Sequence, residues 1–462
     1  MFRSLVAASL LVTAAPMAAQ LHKSPLVDSK VAALRDKALS SDEYAWDITE
    51  GLTTEVGPRL AGTEAEARAR SWAVRKLTSM GFSNVRIEQF DMPVWVRGRE
   101  HAEIISPFPQ PLVVTALGNS GSTGPEGVSG EIVAFDSVDA LRAAPAELVK
   151  GKVVFIDHAM PANQDGSGYG QFGAPRRQGP TIASQKGALA IIVRSIGTDW
   201  HRNPHAGVMS FSDGAKPIPA GALSNPDADQ LLRILKRGRP TSLRLVLESR
   251  NLGTRQSGNV IAEVLGRDPS LPPILVSGHL DSWDQGTGAI DHASGVAIAA
   301  AAAKHVMDAG RPLRTIRIVW FGAEEVGLFG GLDYRSKHGK EPHYALIESD
   351  FGADRIWKVD SKLGDARKAE AEAIGKALAP LGIVTGSFSK AEGSDIGPML
   401  EDGHPGVGLN QDGSRYFDFH HTPDDTLDKV DPQQLRQNVA AWTAVLAILS
   451  GGIEEPKPPK QR

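Results

Sequence analysis

Five candidate metal ligands and one candidate general base recur along the second half of the chain, each where a predicted strand runs out. They lie in His279-Leu280-Asp281-Ser282, Gly288-Ala289-Ile290-Asp291-His292, Glu324-Glu325 after Trp320-Phe321-Gly322-Ala323, Glu348-Ser349-Asp350, and His420-His421-Thr422-Pro423. Helix-forming stretches separate them, so only a fold that returns the chain repeatedly to one edge can gather them. An open α/β sheet does this, because loops beyond the carboxyl ends of its strands converge without disturbing the core. The intervening patterns agree: Val260 to Leu265, Pro273 to Ser277, Thr315 to Phe321 and Tyr344 to Glu348 read as strands, and Ala293 to Met307 as a helix. Such alternation predicts a mostly parallel sheet covered by helices.

Elsewhere, Thr63-Glu64-Ala65-Glu66 has the capping-box pattern ahead of a helix ending near Gly81, and Val85 to Phe90 reads as a strand. Asp431 and Pro432 open the last helix, which runs to Gly451. Between Gly130 and Leu247 the texture changes to short β-branched runs broken by Gly- and Pro-rich turns, which predicts an inserted, mainly β unit. Residues 20–129 and 248–453 then form the main domain, and 454–462 a disordered tail. Met1-Phe2-Arg3 precedes an apolar run from Leu5 to Ala15 and small residues to Ala19, the pattern of a cleaved secretory signal over 1–19. The run is shorter than the roughly 20 residues that span a bilayer. With 41% hydrophobic residues the chain builds ordinary cores, and a net charge of −4 with scattered basic residues excludes a nucleic-acid partner. Zero cysteines exclude disulfides and a cysteine-linked lipid anchor.

Two imidazoles and several carboxylates without cysteine suit a pair of divalent metals better than one structural zinc. Metals about 3.5–4 Å apart can share one carboxylate and leave a water between them as nucleophile. Asp291 is the natural bridge. Glu324 and Glu325 diverge from one turn, so one can bind metal while the other serves as general base. Asp281, two residues after His279, fits a carboxylate that fixes the imidazole tautomer. Taken singly each residue has a plain alternative: a Glu-Glu pair in a solvated loop, a surface His-His pair, an Asp350 that merely caps a turn. The other histidines, including His205, are read as structural or exposed, and Ser277 and Ser282 need not act as nucleophiles. The set as a whole predicts a hydrolase.

The segments Val56-Gly57-Pro58-Arg59-Leu60, Val276 to Asp284, Gly288 to Asp291, Ala323-Glu324-Glu325, Glu348-Ser349-Asp350, Gly393-Ser394-Asp395-Ile396 and Tyr416 to Thr426 resemble the M28 family of zinc aminopeptidases, in particular its carboxypeptidase Q (plasma glutamate carboxypeptidase) branch. The resemblance implies two zinc ions per chain, one held by His279, Asp291 and Asp350 and the other by Asp291, Glu325 and His421. It implies Glu324 as general base, Asp281 as the partner of His279, and an inserted unit similar to a protease-associated domain over the active site. It further implies an exopeptidase for dipeptides or short peptides with a free N-terminus, and a homodimer, while the leader pattern predicts a periplasmic or secreted protein free of the membrane once the signal is removed. Tyr416 and Asp395 are candidates for contacting substrate. Where many relatives carry a second Asp after the bridging one this chain has His292, and the joining peptide is often cis in that fold. Two alternatives stand beside this expectation: a one-zinc glutaminyl cyclase on the same fold, and an inactive binding module.

Overall fold

The computed structural model describes residues 28–212 and 214–454. The expected leader lies outside the described residues, as does the tail from 455, while Glu454 pairs with Arg311 across a two-residue strand. Among the described residues no helix is long and apolar enough to cross a membrane.

The central sheet has eight strands, in the order Ser83–Val96, Arg250–Val264, Ile316–Phe321, Ile274–His279, Ala345–Glu348, Gly406–Gln411, Ile356–Lys362 and Val384–Thr385. Its middle four strands are parallel. Antiparallel pairs flank them, with Arg250–Val264 on one side and Ile356–Lys362 on the other. The sheet is therefore mixed at its margins and parallel where His279, Glu324, Glu325 and Asp350 leave it. Ile274–His279 and Ala345–Glu348 are buried at every residue, as parallel strands covered on both faces must be. On one face lies the helix Ser294–Ala309, whose run Ala299 to Ala303 is wholly buried; these small side chains let it pack closely against Pro432–Leu449 and Tyr44–Gly51.

Helix starts follow the sequence with one difference. Thr63 Oγ1 accepts from the Glu66 amide at 3.4 Å, and Asp431 accepts from the amides of Gln433 and Gln434 at 2.7 and 3.2 Å. The Glu66 carboxylate does not return to Thr63. It is buried against Arg70 at 2.7 Å and accepts from Ser257, so it serves packing rather than capping.

A second eight-stranded sheet is built from residues 100–247, with Val128–Phe135, Val153–Ile156, Ala190–Arg194 and Ala220–Leu223 parallel at its centre. Helices Ala174–Gln185 and Asn225–Leu235 belong to this region, so it is α/β rather than mainly β. Pro180 inside the first of these helices, with Gly179 before it, disguises the helix as a turn in the sequence. Strands Glu100–Ser106, Gln110–Leu112 and Val114–Ala116 join the same sheet from ahead of Gly130.

Asn259 locks the central sheet to the helix that follows the Glu324-Glu325 turn: its amide donates to Gly330 O at 2.9 Å, and its oxygen accepts from the Gly322 amide at 3.0 Å. A Cβ on Gly330 would lie 2.5 Å from Asn259 Oδ1 and 2.9 Å from Gly322 N. Alanine favours helix over glycine by about 1 kcal/mol, while overpacking costs about 1–3 kcal/mol. We expect the clash to win, so Gly330→Ala should lower stability in urea denaturation. A gain of the size that helix propensity alone predicts would show that the turn yields without cost.

Candidate active site

His279 ends its strand with both ring nitrogens engaged. Nδ1 donates to the Asp281 carbonyl at 3.1 Å, which leaves Nε2 facing Asp291 Oδ1 at 3.1 Å and Asp350 Oδ1 at 3.2 Å. His421 repeats the arrangement from the other side. Its Nδ1 donates to the Ala206 carbonyl at 3.3 Å, and Nε2 faces Glu325 Oε2 at 2.9 Å and Asp291 Oδ2 at 3.3 Å. One carboxylate thus meets an imidazole on each of its oxygens. Two sharp turns aim the outer groups, with Ala323 and His421 each holding left-handed backbone at φ +60°.

Asp281 stands beside His279 and also serves a second group. Its carboxylate accepts the amides of Glu324 at 3.1 Å and Glu325 at 3.3 Å, while its Oδ1 stands 3.6 Å from His279 Nδ1, so the carboxylate chiefly holds the Glu324-Glu325 turn and its carbonyl orients the imidazole. Ser394 Oγ donates to Asp350 Oδ2. Asp395 is not presented to substrate: it is buried, and its Oδ1 accepts from the Gly331 amide at 3.1 Å. Tyr416 lies against Phe351 and His420, with ring centroids 4.6 and 4.9 Å away. Burial, and then the negative charge of Asp291 and Asp350, push its hydroxyl well above the usual tyrosine range, so it stays a donor. A cleft of about 300 Å³ opens beside these groups, lined by Glu348, Asp350, Phe351, Ser394 and Asn410, with Asp165 from the second-sheet region in its wall.

The charge balance here calls for cations. Burial raises Glu324 well above the usual carboxylate range, and it raises Glu325 to about 7 and Glu348 to about 8. Burial alone would lower the His279 and His421 imidazoles, yet Asp350 lifts the first and Glu325 the second well above the ordinary value. Asp291 Oδ2 and Glu325 Oε1 are buried without a hydrogen-bond donor. Tetrahedral zinc with bonds of about 2.0–2.2 Å places its ligand atoms about 3.3–3.5 Å apart. The four imidazole-carboxylate distances, 2.9 to 3.3 Å, are at or just inside that spacing, so the residues fit a pair of divalent ions.

Several residues without an assigned role complete the site. His420 is buried, stacked on His421 at 3.5 Å, and its Nε2 is 3.4 Å from Asp291 Oδ2. His292 is fully buried beside His279, and the Asp291–His292 peptide is cis. Asp425 accepts the amides of Ile290 at 2.6 Å and Asp291 at 3.1 Å. His205, buried against Asp199 at 3.2 Å, precedes the Ala206 that holds His421. The buried Arg59 guanidinium donates to the carbonyls of Leu280, Thr287 and Gly288 at 2.5, 2.6 and 2.8 Å, and to Gly57 at 3.2 Å. Of these, Arg59, His420 and Asp425 lie in segments that make the family resemblance and His292 marks the departure from its pattern, whereas His205 carried no sequence signal of such a role.

Residues 259–446 match the model of peptidase family M28. Over 410 residues, 88% of this chain and 85% of the relative, the sequence is 33% identical to carboxypeptidase Q of Mus musculus, and it is equally similar to that of Homo sapiens. A crystal structure of a peptidase M28 precursor from Shewanella amazonensis superposes with a TM-score of 0.89 at 46% identity, covering 94% of this chain and 99% of that one. An aminopeptidase from Aneurinibacillus shares the fold, with a TM-score of 0.62 at 20% identity over 92% of this chain and 97% of that chain.

Arg59 ties the loop that carries Asp281 and the loop that precedes Asp291 to one cation, so its loss leaves the carbonyls of Gly57, Leu280 and Thr287 without this donor, while Gly288 O keeps the Ala293 amide at 2.8 Å. Each buried unsatisfied acceptor costs about 1–3 kcal/mol. Arg59→Met should therefore lose about 3 kcal/mol or more, read as a fall in the urea midpoint at unchanged slope. A loss below about 1 kcal/mol would mean that water replaces the guanidinium.

Proposed function

The chain belongs to peptidase family M28 and is a metallo-exopeptidase, and from that premise we propose that it is a dinuclear zinc enzyme hydrolysing dipeptides or short peptides with a free N-terminus. The observation that carries this reading is the shared carboxylate: Asp291 presents one oxygen to His279 Nε2 and the other to His421 Nε2, while both Nδ1 atoms are committed to backbone carbonyls. In this assignment His279, Asp291 and Asp350 hold one ion, and Asp291, Glu325 and His421 the other. When bound, such a pair polarises the scissile carbonyl and acidifies the attacking water.

The protein's own groups supply the rest. Glu324, whose carboxylate burial lifts well above its usual range, accepts a proton from the attacking water and passes it to the leaving nitrogen. Asp281 keeps Glu324 and Glu325 in register through their amides, so that the base and the ligand diverge from one turn. In this reading the Tyr416 hydroxyl, which burial keeps protonated, donates to the oxygen on which negative charge develops. Asp165 in the cleft wall favours a substrate's free amine, while Glu392 there is engaged by Lys390 at 2.7 Å, and the residue 100–247 region limits the length of peptide that enters. Export, to the periplasm or beyond the cell, follows from the leader pattern of residues 1–19.

Two experiments test this reading. The purified chain should carry close to two zinc ions and lose activity to chelators. In that background Glu324→Gln should retain both ions and lose about 10²–10⁴-fold or more in turnover, whereas Glu325→Gln should lose one ion. Near-normal turnover in Glu324→Gln, or activity that survives prolonged chelation, would remove the assignment. Separately, acetylating the amine of a good dipeptide substrate should abolish its cleavage; equal rates for free and blocked substrates would point to an amidohydrolase instead.

A further inference from the structure

We propose that Arg176 is a positioning residue for His421, fixing the Ala206 carbonyl that orients this imidazole and linking it, through Tyr169, to the segment that walls the cleft. The inference rests on the dinuclear reading above, in which His421 is a metal ligand.

Arg176 lies in the helix Ala174–Gln185 of the second-sheet region, 5% exposed. Its Nη1 donates to the Ala206 carbonyl at 3.2 Å, the same oxygen that accepts from His421 Nδ1 at 3.3 Å. A carbonyl oxygen has two lone pairs, so both bonds can be held at once. The neighbouring amide completes the clamp, with Ala206 N–H donating to His421 O at 2.9 Å. Gly207 shows that the approach is built in. It holds φ +137°, and a Cβ there would fall on the Arg176 guanidinium. The loop itself is braced: the His205 amide donates to Ser195 Oγ at 2.9 Å, and Asn225 Nδ2 donates to the carbonyls of Gly197 and Asp199 at 3.1 and 3.0 Å.

The second arm of the guanidinium points toward the cleft side. Arg176 Nη2 donates to Tyr169 Oη at 2.7 Å, and the Tyr169 ring stacks on Phe417 at 4.8 Å and meets His420 edge-on at 5.2 Å. Tyr169 belongs to the same short segment as Asp165, which lines the cleft. A metal-binding histidine depends on the group that receives its other ring proton, and loss of such a partner weakens metal binding by about 10–100-fold. Because Arg176 touches both the Tyr169 segment and the carbonyl behind His421, the placement of that segment and retention of the ion at the Glu325–His421 position are coupled, and the coupling is reciprocal.

The test is zinc affinity, measured by chelator competition on the full chain and independent of turnover. Arg176→Met should weaken one of the two ions by about 10–100-fold and leave the other unchanged. Tyr169→Phe, which keeps the ring stacking and removes only the hydroxyl, should weaken the same ion to a smaller extent, and it carries the test if the arginine variant does not fold. In a Glu325→Gln background neither change should alter the remaining ion. Affinities matching the unmodified chain, or equal loss at both ions, would overturn the proposal while leaving the dinuclear reading in place. An unmodified chain that binds no second ion would overturn both.

Discussion

A single buried carboxylate, Asp291, with an imidazole on each oxygen, sets the terms for its surroundings. A charge buried to this degree is costly unless it is paired, and here the pairing must come from two directions at once. The backbone beneath it is consequently held from outside its own segment. Asp425 takes the amides of Ile290 and Asp291, and Arg59 gathers the carbonyls of Leu280, Thr287 and Gly288. Three stretches far apart in the chain therefore close around one pair of oxygens, and the parallel strands deliver the remaining carboxylates to the same edge.

Much of this was legible in the sequence, because it follows from local rules. Strand ends at His279, Phe321 and Glu348 announce themselves by apolar runs that stop at ionisable residues, and Thr63 and Asp431 cap helices as their side chains dictate. Where local rules stop, legibility stops. Asp281 faces the Glu324 and Glu325 amides because a turn some forty residues later folds over it, a contact that no spacing reveals. Asp395 stands next to a serine that does reach Asp350, and a one-residue change of direction buries it against Gly331. The helix Ala174–Gln185 was hidden by its own Gly179 and Pro180, whereas Asn225–Leu235 opens on the Ser224 cap and a first-turn proline, a start signal that was there to read.

The segment Asp165–Gln171 illustrates a related limit. Its three glycines suggest freedom to move, yet Gly166 sits where a Cβ would lie 2.9 Å from Phe351 Cε2 and 3.5 Å from Phe417 Cε2, and Gln164 O accepts from the Gly413 amide at 2.8 Å. Here at least one glycine permits close approach between two parts of the chain rather than motion. Composition alone does not separate these uses.

The placement of the Ala206–His421 contact has a consequence for how the chain acquires its native form. His279, Asp291, Glu324, Glu325 and Asp350 belong to one continuous run of strand, helix and strand, which Asp425 and Arg59 brace from far along the chain. His421 is fixed by a carbonyl 215 positions earlier and cannot be oriented until the second-sheet region has docked onto the C-terminal loop. Loop closure of that span is slow relative to local pairing. The His421 side of Asp291 thus depends on docking between two regions distant in sequence, and a change that loosens that docking reaches the imidazole without touching it.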